Sequence, residues 1–362
     1  MIENKLKDMS ILVIVLLFIG CVQTTKRNED VNFESVTVNY RPIQGIGPED
    51  GIVRRDPSDI IKVDGVYYVW YTKVVESAPG YPEGYNGTIW YATSKDGIRW
   101  EEKGEALGRE DADKFDAFGV FTPNIIYAPT TGKYYLYYTG VRTDNSEQWD
   151  FKKFSGSIGV AEADSPTGGV EGWQRANKGK PVLSPKIGVK GVFDGWHTDD
   201  AVVFYRNKKY WLYYKGHSQD EQLLGTGLPN RSTPMGLVVS DRPDGGFERV
   251  PLSKRQQFLI QPGHELLLWA YGNGILSFPT GHYRPKHPDD FCLHYSIDGV
   301  NFSVVSPVVS SAKLSPHGGL MAPGLYRPEL TDPNQTCSGQ LWGISMTTYG
   351  RKAGLQLFTL KY

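Results

Sequence analysis

Acidic side chains recur at one kind of place in this sequence, the head of short β-rich runs. Asp56 stands before Pro57-Ser58 and Ile60-Ile61, Asp199-Asp200 stand before Ala201-Val202-Val203-Phe204-Tyr205, and His264-Glu265 open a later run. Carboxyl groups held close together raise one another's pKa, so one stays protonated as an acid while another stays ionised as a base. Cleavage of a glycosidic bond needs that division of labour, because the leaving oxygen takes a proton while water is activated. A single aspartate at a strand head more often caps a turn. Three acid-bearing heads in register point to a site.

The elements that must position these groups are strands. After Asp56, the run Ile60-Ile61-Lys62-Val63 meets the Asp64-Gly65 turn and continues as Val66-Tyr67-Tyr68-Val69-Trp70-Tyr71. Asp-Gly between two β-rich runs is a strong hairpin signal, because glycine tolerates the positive φ of the turn. The pattern returns at Phe121 to Tyr138 around Thr131-Gly132, and at Asp199 to Tyr214 around Asn207-Lys208. Two further segments start at His264-Glu265 and near Met321-Ala322-Pro323. Repeats of about 60–75 residues, each a four-strand meander, predict an all-β fold, a five-bladed β-propeller forming a single domain. Middle strands such as Tyr134 to Tyr138 are apolar on both faces, as stacked blades require. The 22 Tyr, 9 Trp, 41 Gly and 23 Pro agree with many short strands and turns.

The 39 basic and 40 acidic residues nearly cancel, which leaves no electrostatic case for nucleic acid as a partner. Lys5 and Lys7 precede the apolar run Ile11 to Ile19, which ends at Gly20-Cys21. That run reads as a secretory signal of lipoprotein type over residues 1–20, with Cys21 as the lipidated mature N-terminus. Residues 21–50 read as a lipidated tether and 51–362 as the catalytic propeller. The protein is then exported and anchored at the periplasmic or cell-surface side, meeting the membrane only through its N-terminal lipid. Cys292 and Cys337 lie in strand-like runs, as buried thiols or a disulfide. No metal-binding or cofactor motif is present in the sequence, so neither a metal nor a cofactor is expected.

In a propeller the first strand of each blade lines the central channel, so the strand heads meet at one mouth. They are Asp56, Thr122 with Asn124, Asp199-Asp200, His264-Glu265 and Ala322. Arg55-Asp56-Pro57-Ser58 with Tyr67 to Lys73, Thr88 to Gly97, Val120 to Ile125 and Pro262-Gly263-His264-Glu265 together resemble glycoside hydrolase family 117 over about residues 50–362. That family is related to families 43 and 32. The resemblance implies a five-bladed propeller and exo-acting, inverting release of 3,6-anhydro-L-galactose from the non-reducing end of neoagaro-oligosaccharides. It also implies Asp56 as general base, Asp200 as the carboxylate that tunes and orients the acid, and His264 or Glu265 as that acid.

The third repeat carries Asp199-Asp200 where the family more usually has one Asp followed by Pro, so Asp199 is the alternative carboxylate. The family's helical N-terminal segment, exchanged within a homodimer, finds Pro42, Gly45, Gly47 and Pro48 in its place here. Arg55, Trp90, Thr122, Asn124, Trp196, His197 and Trp269 are the candidate contacts to an oligosaccharide substrate, through aromatic stacking and paired hydroxyls. His317 reads as structural. Two other readings stand beside the anhydrogalactosidase: a family 43-like arabinofuranosidase or xylosidase, and a non-catalytic lipoprotein that binds oligosaccharides.

Overall fold

The computed structural model describes residues 31–75, 86–143, 154–218, 234–252, 258–260, 266–279, 291–307, 309, 320–337, 340–348 and 352–362. The chain enters on β1 (Thr37–Pro42) and then builds five antiparallel sheets in succession. Blade 1 comprises β2 (Ile52–Arg55), β3 (Ile61–Val63), β4 (Val66–Val75), β5 (Thr88–Ser94) and β6 (Trp100–Leu107). Blade 2 is β7 (Gly119–Ala128), β8 (Lys133–Thr143), β9 (Phe154–Ala163) and β10 (Gln174–Arg175). Blade 3 is β11 (His197–Arg206), β12 (Lys209–His217), β13 (Met235–Ser240) and β14 (Glu248–Arg249). Blade 4 is β15 (Leu268–Tyr271), β16 (Gly274–Ser277), β17 (His294–Ser296) and β18 (Ser303–Val304). Blade 5 is β19 (Met321–Leu325), β20 (Leu341–Met346) and β21 (Leu355–Lys361), completed on its outer edge by β1.

That last pairing closes the ring, with Thr37 opposite Lys361 and Pro42 opposite Gln356. It also corrects the expected tether over 21–50. Residues 37–42 are a blade strand, and Ile43 and Ile46 are buried, so the folded body starts well before residue 51. The hairpin turns are as the sequence indicates, with Asp64-Gly65 and Asn207-Lys208 all at positive φ. The two remaining cysteines, Cys292 and Cys337, are free, buried thiols.

Apolar clusters fill the spaces between sheets all the way round. One joins blades 1, 2 and 3 through Trp70, Ile125, Tyr137 and Val203; others join blades 3 and 4, 4 and 5, and 5 and 1. Blades 2 and 3 share a clamp just before their first strands. Phe115 stacks on Tyr138 at 6.0 Å, and Asp116 accepts from Tyr138 Oη (2.8 Å) and Arg175 Nε (2.7 Å). Phe193 stacks on Tyr214 at 5.7 Å, and Asp194 accepts from Tyr214 Oη (2.9 Å) and Arg249 Nε (2.7 Å). Both stacks sit over glycine, since a Cβ at Gly140 would come within 2.4 Å of Phe115 and one at Gly216 within 2.6 Å of Phe193.

All five blades meet at one buried ion pair. Arg327, wholly buried, donates through Nη1 to Asp59 (2.7 Å), through Nε to Glu329 (2.9 Å) and through Nη2 to the Val203 carbonyl (3.2 Å). Asp59 also accepts from Asn124 Nδ2 (3.0 Å) and the Leu325 amide (2.9 Å), and Glu329 accepts from the Ala270 amide (3.3 Å). Removing one member of such a pair strands the other charge in the interior, at a cost of about 3–5 kcal/mol. Arg327→Met is therefore expected to lose about that much stability, measured by urea unfolding at pH 7, while exposed Arg99→Met stays within about 0.5 kcal/mol.

Candidate active site

Four residues outside glycine turns share one unusual backbone state at one place in the ring. Asp56 (φ 49°), Thr122 (φ 48°), Asp200 (φ 50°) and Ala322 (φ 38°) each sit in the left-handed region at the head of a first strand. This costs an L-residue roughly 1–2 kcal/mol, and such strain concentrates at functional sites. Three of the four precede proline: Pro57, Pro123 and Pro323. Each opens an irregularity in pairing. In blade 2 the register skips from Phe121–Thr139 to Asn124–Tyr137, in blade 3 from Asp199–Lys215 to Val202–Tyr213, and in blade 5 from Met321–Met346 to Gly324–Ile344. In blade 1 the same place is the break between β2 and β3. A bulge re-aims a side chain that strand alternation would send into the sheet.

The four residues line a small pocket of about 40 Å³ together with Pro57, Pro123, Asn124, Ala201, Val202, Leu266 and Pro323. Asp56 is 7% exposed and accepts from Arg55 Nε at 2.6 Å. Thr122 bonds Thr139 through its hydroxyl (2.5 Å) and Thr72 through its amide (3.1 Å). Asn124 lines the floor, but its amide serves the hub: Nδ2 donates to Asp59, and Oδ1 accepts from the Val203 amide at 3.2 Å. His264 and Glu265 lie outside the described residues, as do Cys21 and His317. Leu266, which follows Glu265 in the chain, lines the pocket.

Blade 3 turns its two aspartates in different directions. Asp200 lines the pocket, whereas Asp199, 5% exposed, turns into the protein toward His197 Nε2 (3.0 Å) and Lys215 Nζ (3.5 Å). Lys215 Nζ also bonds Asp200. His197 is itself buried, packed on the backbone of Gly156 and edge-on to His217 at 5.4 Å. It braces Asp199 and is not part of the pocket lining. Half-buried Trp196 precedes it, its backbone N–H donating a hydrogen bond to the His217 carbonyl (2.9 Å).

Two tryptophans are placed elsewhere. Trp269 is wholly buried in the cluster between blades 4 and 5, donating to Tyr362 Oη at 3.2 Å. Trp90 packs between blades 1 and 5, with Lys73 Nζ 3.8 Å above its ring. Neither lines the pocket. Sequence reasoning passed over Lys215, Asp59 and Arg327, since each charge looks unremarkable until the strands around it are paired.

Burial by itself would push the Asp199 carboxyl up, but Lys215, then His197 and His217, hold it well below the usual carboxylate range. A carboxylate depressed on folding adds stability above its unfolded pKa near 4, and that stability fades as pH falls toward the lower folded value. Asp199→Asn is expected to lose roughly 1–3 kcal/mol at pH 7. Its deficit against wild type should narrow below about pH 4, as read from urea midpoints at pH 7 and pH 3.

The family model for glycosyl hydrolases family 43 matches residues 52–201. A family 117 glycoside hydrolase of the marine bacterium Zobellia galactanivorans is similar in structure, with a TM-score of 0.70 and 27% identity over 91% of this chain and 92% of that one. An alpha-L-arabinofuranosidase from Podospora anserina (TM-score 0.57, 13% identity, 90% of this chain and 98% of that one) shares the fold. So does a family 32 beta-fructofuranosidase from Bombyx mori (TM-score 0.54, 15% identity, 88% of this chain and 61% of that one). No curated protein sequence matches the chain.

Proposed function

We propose that this glycoside hydrolase, a propeller akin to family 117, acts in exo fashion with inversion and releases 3,6-anhydro-α-L-galactose from marine galactan oligosaccharides. The observation that carries the reading is the convergence of Asp56 and Asp200, from separate blades, on one small pocket whose lining Asn124 joins to the hub.

In this reading the ionised Asp56, held by Arg55, takes a proton from water as the water oxygen attacks the anomeric carbon. The bond from that carbon to the glycosidic oxygen breaks, and the oxygen receives a proton from the blade 4 acid, His264 or Glu265. An ionised Asp200 would keep that acid protonated until the bond breaks. Inversion follows from attack on the face opposite the leaving group. The family 43 match over residues 52–201 supports a second reading, an arabinofuranosidase or xylosidase.

The two readings separate on incubation with neoagarobiose, carrageenan oligosaccharides and arabinoxylan oligosaccharides, followed by identification of the released monosaccharide. Anhydrogalactose supports the first and pentose the second; binding without turnover of any of them points to a capture protein. Asp56→Asn should lower kcat about 10²–10⁴-fold while the Kd measured by calorimetry changes little. A variant that keeps its full rate would remove Asp56 from the mechanism.

Export with a lipid on Cys21 is part of the same proposal. Pro42 lies at the pocket end of blade 5, because Gln356 opposite it follows Leu355, which pairs with Met346 and through it with Met321 beside Ala322. Thr37 lies at the other end, so the chain joins the propeller on the face away from the mouth and an anchor there leaves the pocket facing outward. Cys21→Ser is expected to move the protein from the membrane pellet to the soluble fraction; retention in the pellet would sink the lipid anchor.

A further inference from the structure

Lys215 is a cation on β12 that does not line the pocket but bonds Asp200, which does. It is 2% exposed, and lysine is almost never so buried unless paired. Across the first hairpin of blade 3 it pairs with Asp199; the corresponding places in blades 1 and 2, opposite Arg55 and Phe121, hold Thr72 and Thr139. Those two hydroxyls serve the amide and hydroxyl of Thr122. Blade 3 has a charge where blades 1 and 2 have a neutral hydrogen-bonding group.

Among the described residues, the charged and titratable groups placed around Lys215 include Asp199, Asp200 and His197 of β11 and His217 of β12, while β13 sets Met235 opposite it. Asp199 has His197 as a second partner and lies off the pocket, so it anchors the ammonium from behind. Asp200 meets the same ammonium from the pocket side.

We infer that Lys215 is a positioning residue for the hydrolytic reaction: anchored by Asp199 and His197, it fixes one oxygen of Asp200 and keeps that carboxylate ionised at the pocket. This rests on Asp200 belonging to the hydrolase site proposed above, but it does not depend on which sugar is cleaved. The role differs from simple support, because a buried lysine that only filled space would leave the protonation of Asp200 untouched.

The test compares wild type, K215M, K215R, D200N and D200N/K215M. One readout needs no substrate: ¹³C NMR titration of the Asp200 carboxyl carbon, assigned by its absence in D200N. Its midpoint should rise by about one pH unit or more in K215M, the scale of an opposite charge removed from within a few ångströms, and return most of the way in K215R. The second readout is kinetic, on whichever oligosaccharide the wild-type enzyme turns over. K215M should lose about 10²-fold in kcat, as a misplaced catalytic group does, with KM little changed. The acid limb of its pH profile should move to higher pH, since the active form needs Asp200 ionised. D200N/K215M should be no slower than D200N. An unmoved carboxyl titration in K215M, or a K215M defect that persists undiminished in the D200N background, overturns the inference. Should K215M fail to fold, Lys215→Gln takes its place in both readouts under the same criteria. A wild-type protein that cleaves none of the oligosaccharides would overturn the proposed substrate, while the NMR titration still decides the role of Lys215.

Discussion

The Arg327 guanidinium is the point at which the five sheets become one object. Sheet-on-sheet packing is non-directional, so apolar faces alone fix neither the height of one blade relative to the next nor the shape of the axis. Arg327 does both, because its donors reach Asp59 of blade 1, Val203 of blade 3 and Glu329 of its own blade in fixed directions. Asn124 ties blade 2 to the same carboxylate, and the Ala270 amide ties blade 4 to Glu329. Such a network contributes little net stability compared with an apolar plug of equal volume, yet it is expensive to break, and its donors and acceptors match in one register. Specifying that register is the role it fits best.

The pocket is what that register leaves above it. Asp59 is three residues beyond Asp56, and Asn124 is two beyond Thr122. Locking Asp59 and Asn124 into the hub therefore sets the height at which the strained residues emerge. The left-handed backbone at Asp56, Thr122, Asp200 and Ala322 costs several kcal/mol in total by the usual scale. Such strain persists where the surroundings over-determine the conformation, and here prolines above and the hub below do so. The hub and the strained heads thus act as a single device, with the lower part holding the upper part in shape.

Charge is arranged around the pocket with the same economy. Asp56 has Arg55 and Asp200 has Lys215, so among the described residues each carboxylate that lines the pocket is bonded to a cation in its own blade. The aromatic residues, which the composition makes so prominent, do other work: Trp70, Trp269, Tyr137 and Tyr213 are wholly buried between sheets. Abundance of tryptophan in this chain reflects blade stacking, which explains why Trp90 and Trp269 are poor guides to the sugar site.

Sequence alone determined the repeat, the blade count, the hairpin turns and the strand heads at which chemistry was to be sought. Those features are local, since alternation, Asp-Gly turns and Pro after a polar residue act within a few residues of chain. It did not reveal that β1 closes the ring, because the alternation of Val36, Val38 and Tyr40 does not say that its partner is β21 at the far end of the chain. Nor did it separate Asp199 from Asp200, or mark Lys215, Asp59 and Arg327. These depend on partners 15 to 268 positions apart, such as Lys215 with Asp200 and Arg327 with Asp59. The tertiary structure decided them because a side chain's role here is set by which way a bulge turns it and which blade it then meets.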